Sequence, residues 1–333
     1  MVSNQATSAP EQDRHRADLV PACVYVLVAC LIWAPLVFVI TDLNPFRLFN
    51  SIAALLATLM FFGGALIASA TAVGGGIVFN PMLQLIFGIG GFSALTLAIM
   101  VQCAGMTSGT YVWYRQGEFA RVEKRQLAAM ALCACVSSVF FSLLFVLAIE
   151  RVPSVSVLPS MKIASALVSF YIAKLLWNEI RARRAPQPGA EAGARDQKAR
   201  DFEQPRPLTV DWRIYPWIGV GALLNVTTAV GMGGLSFSHI MKYYRAPAKQ
   251  AVAVGVMMQA VSVISQTVII LLFMLDYVLV PMVCLGMLIA LIGGRLAPSI
   301  MSLSLIAPYV KHALALTALG MGMTSLIMLL LGL

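Results

Sequence analysis

Carboxylates are scarce in this 333-residue chain: it holds 14 Asp and Glu, and none falls in the middle of a long apolar run. Asp42, Glu150 and Asp276 stand only at the ends of theirs. A carrier of cations, or one driven by a buried acid, needs such a group within the membrane, so its absence points to anionic cargo. Charge as a whole is thin, at 11% against 60% hydrophobic residues, which excludes a water-soluble globular protein of this length. There is no HExxH, no intramembrane Asp pair and no Ser with a base nearby, which weighs against a membrane-embedded enzyme acting on a thiol or lipid. The six cysteines lie in apolar segments with no CxxC pair, so they read as small hydrophobes, and no metal or cofactor is expected. The net charge of +9 does not signal nucleic acid, because Lys and Arg gather in short loops beside apolar runs.

What the chain has in abundance is apolar sequence of membrane-spanning length. Residues 1–19 form a polar tail, and 20–40 are apolar over about the length a bilayer needs, with no small-residue cleavage site after them, so 20–50 reads as an uncleaved extra helix and loop. Further long apolar runs cover 51–73, 92–114, 127–149, 160–177, 214–231, 250–273, 278–294 and 308–333. These define a first transmembrane repeat at 51–177 and a second at 212–333. Between them, Asn178 to Asp211 is rich in Pro, Ala, Arg and Glu without apolar periodicity, and reads as a flexible linker. The fold expected is an all-α polytopic membrane protein with an internal repeat.

The two repeats share a glycine-broken segment. TAVGGGIVFNPML begins at Thr71 and TAVGMGGLSFSHIM at Thr228, and the same offset returns at Gln102/Gln259 and Thr110/Thr267, so Met232 reads as an insertion cancelled by a later deletion. Each glycine cluster opens a run too short to cross comfortably, Gly76 to Phe87 and Gly234 to Tyr244. Matching breaks in duplicated spans mark a transporter's binding site, because unwound backbone is tolerated in lipid only where protein or a polar cavity satisfies it. Close helix packing is the plainer use of such glycines.

Positive charge sets the orientation. The loop RQGEFARVEKR carries four Lys and Arg while its counterpart MLDY has none; GIGG at Gly88 to Gly91 has none while its counterpart KYYRAPAK has three. With the linker in the cytoplasm, inverted halves place all Lys and Arg inside except Arg47, Arg151 and Lys162, whereas parallel halves divide them more evenly. An inverted-topology repeat follows, with the amino terminus cytoplasmic, the carboxyl terminus outside, and the short helices either re-entrant or fully spanning.

Gly74, Gly75 and Gly76, with Gly231, Gly233 and Gly234, would free the amide N–H groups of two helix starts and aim two positive dipole ends at a midplane cavity, which favours an anion. Gln102 and Gln259 are repeated amides able to donate to an oxyanion; Asn80, Thr228 and Ser236 are further candidates for substrate binding, although single Ser and Thr more often bridge helices. His239 is the one titratable group in the second short segment and a candidate for proton coupling; Lys242 and Arg245 near it can draw anions to the inner mouth. The partners expected are a small anion, the lipid bilayer and a coupling proton or sodium ion, without nucleic acid; oligomeric state is open. Carrier and anion channel are not separated by sequence.

GGGIVFNPMLQLIFGIG, with Pro81 five residues after Gly76, then a small-residue helix and the YRQGEF turn, resembles the TauE/SafE family of sulfite exporters. GMGG, the later polar helix and LIGGRLAP at Leu291 to Pro298 resemble that family's second repeat. The likeness covers 51–333 apart from the linker. It implies secondary transport, often outward, of sulfur-containing anions such as sulfite, sulfoacetate or related sulfonates across a bacterial inner membrane. The chain departs from the pattern where His239 stands for a second proline, where Met232 interrupts the glycines, and in its extra span and long linker.

Overall fold

In lipid every backbone polar group must be satisfied within the protein, so long apolar segments become helices. The computed structural model describes residues 52–120, 122–151, 208–244 and 246–302, with scattered helical positions between 159 and 181 and between 315 and 330. The tail 1–19, the extra span within 20–50, most of the linker 178–211 and most of 308–333 lie outside the described residues. Among the described residues eight α-helices have defined bounds, with a short 3-10 turn at Leu275–Tyr277. In the first repeat they are α1 (Ile52–Thr71), α2 (Gly76–Phe87), α3 (Gly91–Arg115) and α4 (Lys124–Arg151); in the second, α5 (Ile214–Thr228), α6 (Met232–Tyr243), α7 (Ala248–Phe273) and α8 (Val280–Ser302). Four of these, α3, α4, α7 and α8, hold stretches long and apolar enough to cross a membrane. The chain is an all-α polytopic membrane protein, and among the described residues the one β-type contact is an isolated bridge between Val122 and Leu208.

The break after each first helix is built in the same way twice. Thr71 folds its hydroxyl back to the Ile67 carbonyl at 2.6 Å, and Thr228 does so to Leu224 at 2.7 Å. The residue after each is an alanine in the left-handed region, Ala72 at φ 59° and Ala229 at φ 58°, a conformation that costs a non-glycine residue about 1–3 kcal/mol and ends a helix. Two residues further, Gly74 and Gly231 also have positive φ, at 93° and 139°. All these pairs are 157 apart. The offset therefore runs unbroken through the glycine cluster, and the expected insertion is corrected: Met232 takes the place of Gly75, and Ser238, not His239, takes that of Pro81.

Helices α3 and α7 run antiparallel, since Thr96 donates to the Tyr277 carbonyl while Gln102, further along α3, meets Gln259, earlier in α7. Equivalent residues meeting on antiparallel equivalent helices define a pseudo-two-fold axis across the helix direction, which is the inverted repeat. The repeats also exchange helices. α4 packs on α5 and α7 of the second repeat, and α8 on α3 of the first, where Ser108 donates to the Leu291 carbonyl at 3.0 Å.

Candidate functional site

At the pseudo-two-fold axis the two breaks press into each other. A Cβ added at Gly76 would lie 2.2 Å from the Ala229 carbonyl oxygen, and one at Gly233 would lie 2.2 Å from the Ala72 carbonyl oxygen. This reciprocal contact requires glycine at both places and brings the starts of α2 and α6 together from opposite repeats, so that Gly76 and Gly233 serve close backbone packing, the plainer of the two uses the sequence allows. Both clusters are buried.

Around this contact lies a network of neutral amides and hydroxyls. Gln102 donates through Nε2 to the Ala229 carbonyl at 2.9 Å, reaching from the first repeat into the break of the second. Gln259 accepts the Gly233 N–H at its Oε1, 2.9 Å away, and donates through Nε2 to Asn225 Oδ1 at 2.6 Å and to Gln102 Oε1 at 3.2 Å. Asn225 in turn donates to Ser262 Oγ and to Gln266 Oε1, each at 3.0 Å, and Ser138 of α4 donates to Ser262 at 2.8 Å. The amides fill the space that the sequence assigns to a cavity. The cause is plain: the Gly233 N–H has no partner in its own helix, and the Gln259 oxygen, carrying partial negative charge, caps it.

The other candidates divide. Gly74 sits beside both glutamines, its Cβ position 3.2 Å from Gln102 Oε1 and 3.3 Å from Gln259 Nε2. Gly75 faces the Phe79 ring of its own helix, and Gly231 packs on Leu224. Gly234 is buried within the first turn of α6. Thr228 spends its hydroxyl on Leu224 and Val230 of its own turn, and Asn80 accepts from Gln84 Nε2 at 2.7 Å within α2, so neither joins the network. Ser236 Oγ is buried with no hydrogen-bond partner among the described residues, and so is His239 Nε2. The His239 ring stands 4.5 Å from that of Tyr243 and 5.7 Å from those of Trp217 and Tyr244.

Asn225, Ser262 and Gln266, polar residues of the second-repeat helices, are further members of the network. Ser138 was not legible as one; a serine in an apolar run carries no mark of which helix it will meet, and α4 meets the opposite repeat.

The described end of the linker ties the two repeats on one face. Val210 N–H donates to Gln126 Oε1 at 2.9 Å, and the Tyr244 hydroxyl donates to the Asp211 carboxylate. That bond holds the Asp211 carboxyl below the usual carboxylate range, while burial and then the same bond push Tyr244 up to about 12. Among the described residues no group of His, Cys, Asp and Glu is arranged to hold a metal ion.

Comparison with curated proteins and with solved structures gave no match. Residues 55–324 match the family model described as Sulfite exporter TauE/SafE, which spans both repeats and the network between them. Duplicated breaks, inverted halves and this match agree, and the chain belongs to the TauE/SafE sulfite exporter family of membrane transporters.

Proposed function

We propose that the protein is a secondary carrier that moves small sulfur-containing anions, such as sulfite, sulfoacetate or related sulfonates, outward by alternating access at the amide network on the pseudo-two-fold axis. The observation that carries this reading is the Gln259 oxygen on the Gly233 N–H. A partly negative side-chain oxygen seated at a buried helix start stands where an oxyanion oxygen is most favoured, and each helix start contributes about 0.3–2 kcal/mol toward a negative guest. Rocking of one bundle against the other would part the Gly76–Ala229 and Gly233–Ala72 contacts, and the anion would then replace the amide oxygen. Gln102, Gln259 and Asn225 carry amide donors that turn toward it without any fixed charge. Such a site releases its cargo as readily as it binds, which a carrier needs. A proton bound at His239 is the coupling step consistent with this arrangement, and the bacterial inner membrane is the location it implies.

Counterflow in proteoliposomes tests the reading. Vesicles loaded with unlabelled sulfite or sulfoacetate should transiently accumulate labelled anion, saturably and only when the protein is present. A non-saturable leak would mean a channel, and no flux with any sulfur oxyanion would remove the substrate assignment.

A further inference from the structure

The pseudo-two-fold axis relates two regions flanking the amide network, and the structure fills them differently. On the side of the first-repeat residues Ser69, Gly109 and Trp113, protein closes the space. Trp113 is 1% exposed and donates through Nε1 to the Ser69 carbonyl at 3.1 Å, and a Cβ at Gly109 would lie 2.7 Å from Ser69 Oγ. The equivalent residues 157 further on are Val226, Gln266 and Ile270, and these line a cleft completed by Ser142 and Phe145 of α4. Ser142 Oγ is buried there, 3% exposed as a residue, and has no hydrogen-bond partner among the described residues. One turn earlier on the same face, Ser138 already bonds into the amide network through Ser262, and one turn on from Ser262 stands Gln266. A serine also occupies the place equivalent to Ser142 in the second repeat, Ser299, so the duplication carries a hydroxyl at both places.

We propose that Ser142 and Gln266 form an access subsite for the transported anion, on the end of the bundle that holds the 275–277 turn, where a guest pauses between the membrane surface and Gln259. An unpaired hydroxyl and an amide whose Nε2 has only one long contact, 3.3 Å to Ser262, are donors with capacity to spare. Donors with capacity to spare in an otherwise apolar cleft hold an oxyanion that has shed part of its water. The subsite rests on the transport reading for the identity of the anion but not for its charge. Trp113 is the group that shuts the equivalent position in the other half.

The test is Ser142→Cys in a background with the native cysteines replaced and transport retained. Membrane-impermeant methanethiosulfonates of equal size, one bearing a sulfonate and one a quaternary ammonium, are applied to each face in turn. The anionic reagent should label from the 275–277 face about tenfold faster than the cationic one, as a pathway selective for anions dictates. Ser299→Cys in the same background, in the half that Trp113 closes, should label without preference for the anionic reagent. If vesicles exchange sulfite but Ser142→Cys labels from neither face, or without preference for the anionic reagent, the subsite is wrong. If the anionic preference holds and no sulfur oxyanion is exchanged, the subsite stands and the substrate assignment falls.

Discussion

Gly76 and Ala229 touch so closely that no atom fits between them: the Ala229 carbonyl oxygen lies 2.2 Å from where a Cβ on Gly76 would be. The obstacle is backbone oxygen, which no rotamer change removes. Gly76→Ala, and by the same geometry Gly233→Ala, should lower the stability of the purified protein by about 1–3 kcal/mol. Thermal unfolding in detergent measures it, and both variants should melt below the parent. Gly88→Ala, whose Cβ meets nothing within 4 Å but whose φ is 63°, separates crowding from backbone strain. A melting point unchanged in Gly76→Ala would mean the breaks are not interlocked.

Gln102 and Gln259 are equivalent by repeat but not in load. Gln259→Leu strands the Gly233 N–H, Asn225 Oδ1 and one side of Gln102, while Gln102→Leu strands the Ala229 carbonyl and one Gln259 donor. Each buried polar group left unpaired costs about 1–3 kcal/mol, so Gln259→Leu should be the more destabilising and should weaken anion binding more. Isothermal titration and thermal unfolding of both variants read this out; equal effects would mean that the two glutamines carry equal loads.

Much of this was visible in the chain. The 157-residue offset, the glycine clusters and the paired glutamines are properties of sequence, because backbone that must approach backbone needs glycine and a repeated amide leaves a repeated letter. What stayed hidden has a physical reason. Ala72 and Ala229 hold left-handed backbone that side-chain identity does not announce, since glycine is the residue expected there. Glycine letters alone make Met232 look like an insertion, whereas the backbone angles at Gly74 and Gly231 show that Met232 replaces Gly75, in the repeat where Ser236 stands in place of the Phe79 ring that crowds Gly75. The exchange of α4 and α8 between repeats, and hence Ser138 and Ser142, depends on tertiary contacts alone.

The strap at Tyr244 and Asp211 makes a prediction about protonation. Because the Tyr244 hydroxyl lowers the Asp211 pKa, the bond adds stability that is present above the ordinary carboxylate value and is lost as pH falls through the depressed one. On the alkaline side Tyr244, raised to about 12, keeps its proton, so the contact survives until pH passes through the ordinary tyrosine range toward that value. In Tyr244→Phe the Asp211 carboxyl should titrate closer to its ordinary value, as followed by the carbon chemical shift of labelled aspartate. Amide hydrogen exchange at 208–213 should rise in the same variant. An unmoved titration would show that the two groups do not bond in solution.

His239 offers the sharpest separation between a coupling group and a packing one. It lies on α6, its Nε2 unpartnered among the described residues, among the rings of Trp217 of α5, Tyr243 and Tyr244, with Asp211 and Lys242 as the charges that act on it. A packing histidine is replaceable by glutamine with flux and its pH profile both kept. A proton-coupling histidine is not: His239→Gln should keep counterflow exchange, which needs no net proton movement, and lose the dependence of net flux on an imposed pH gradient. Neighbouring charges are the confounder, so Lys242→Gln serves as control and should shift the profile without abolishing it. Net flux in His239→Gln that still follows the gradient as in the parent would assign the ring to holding α6 against α5.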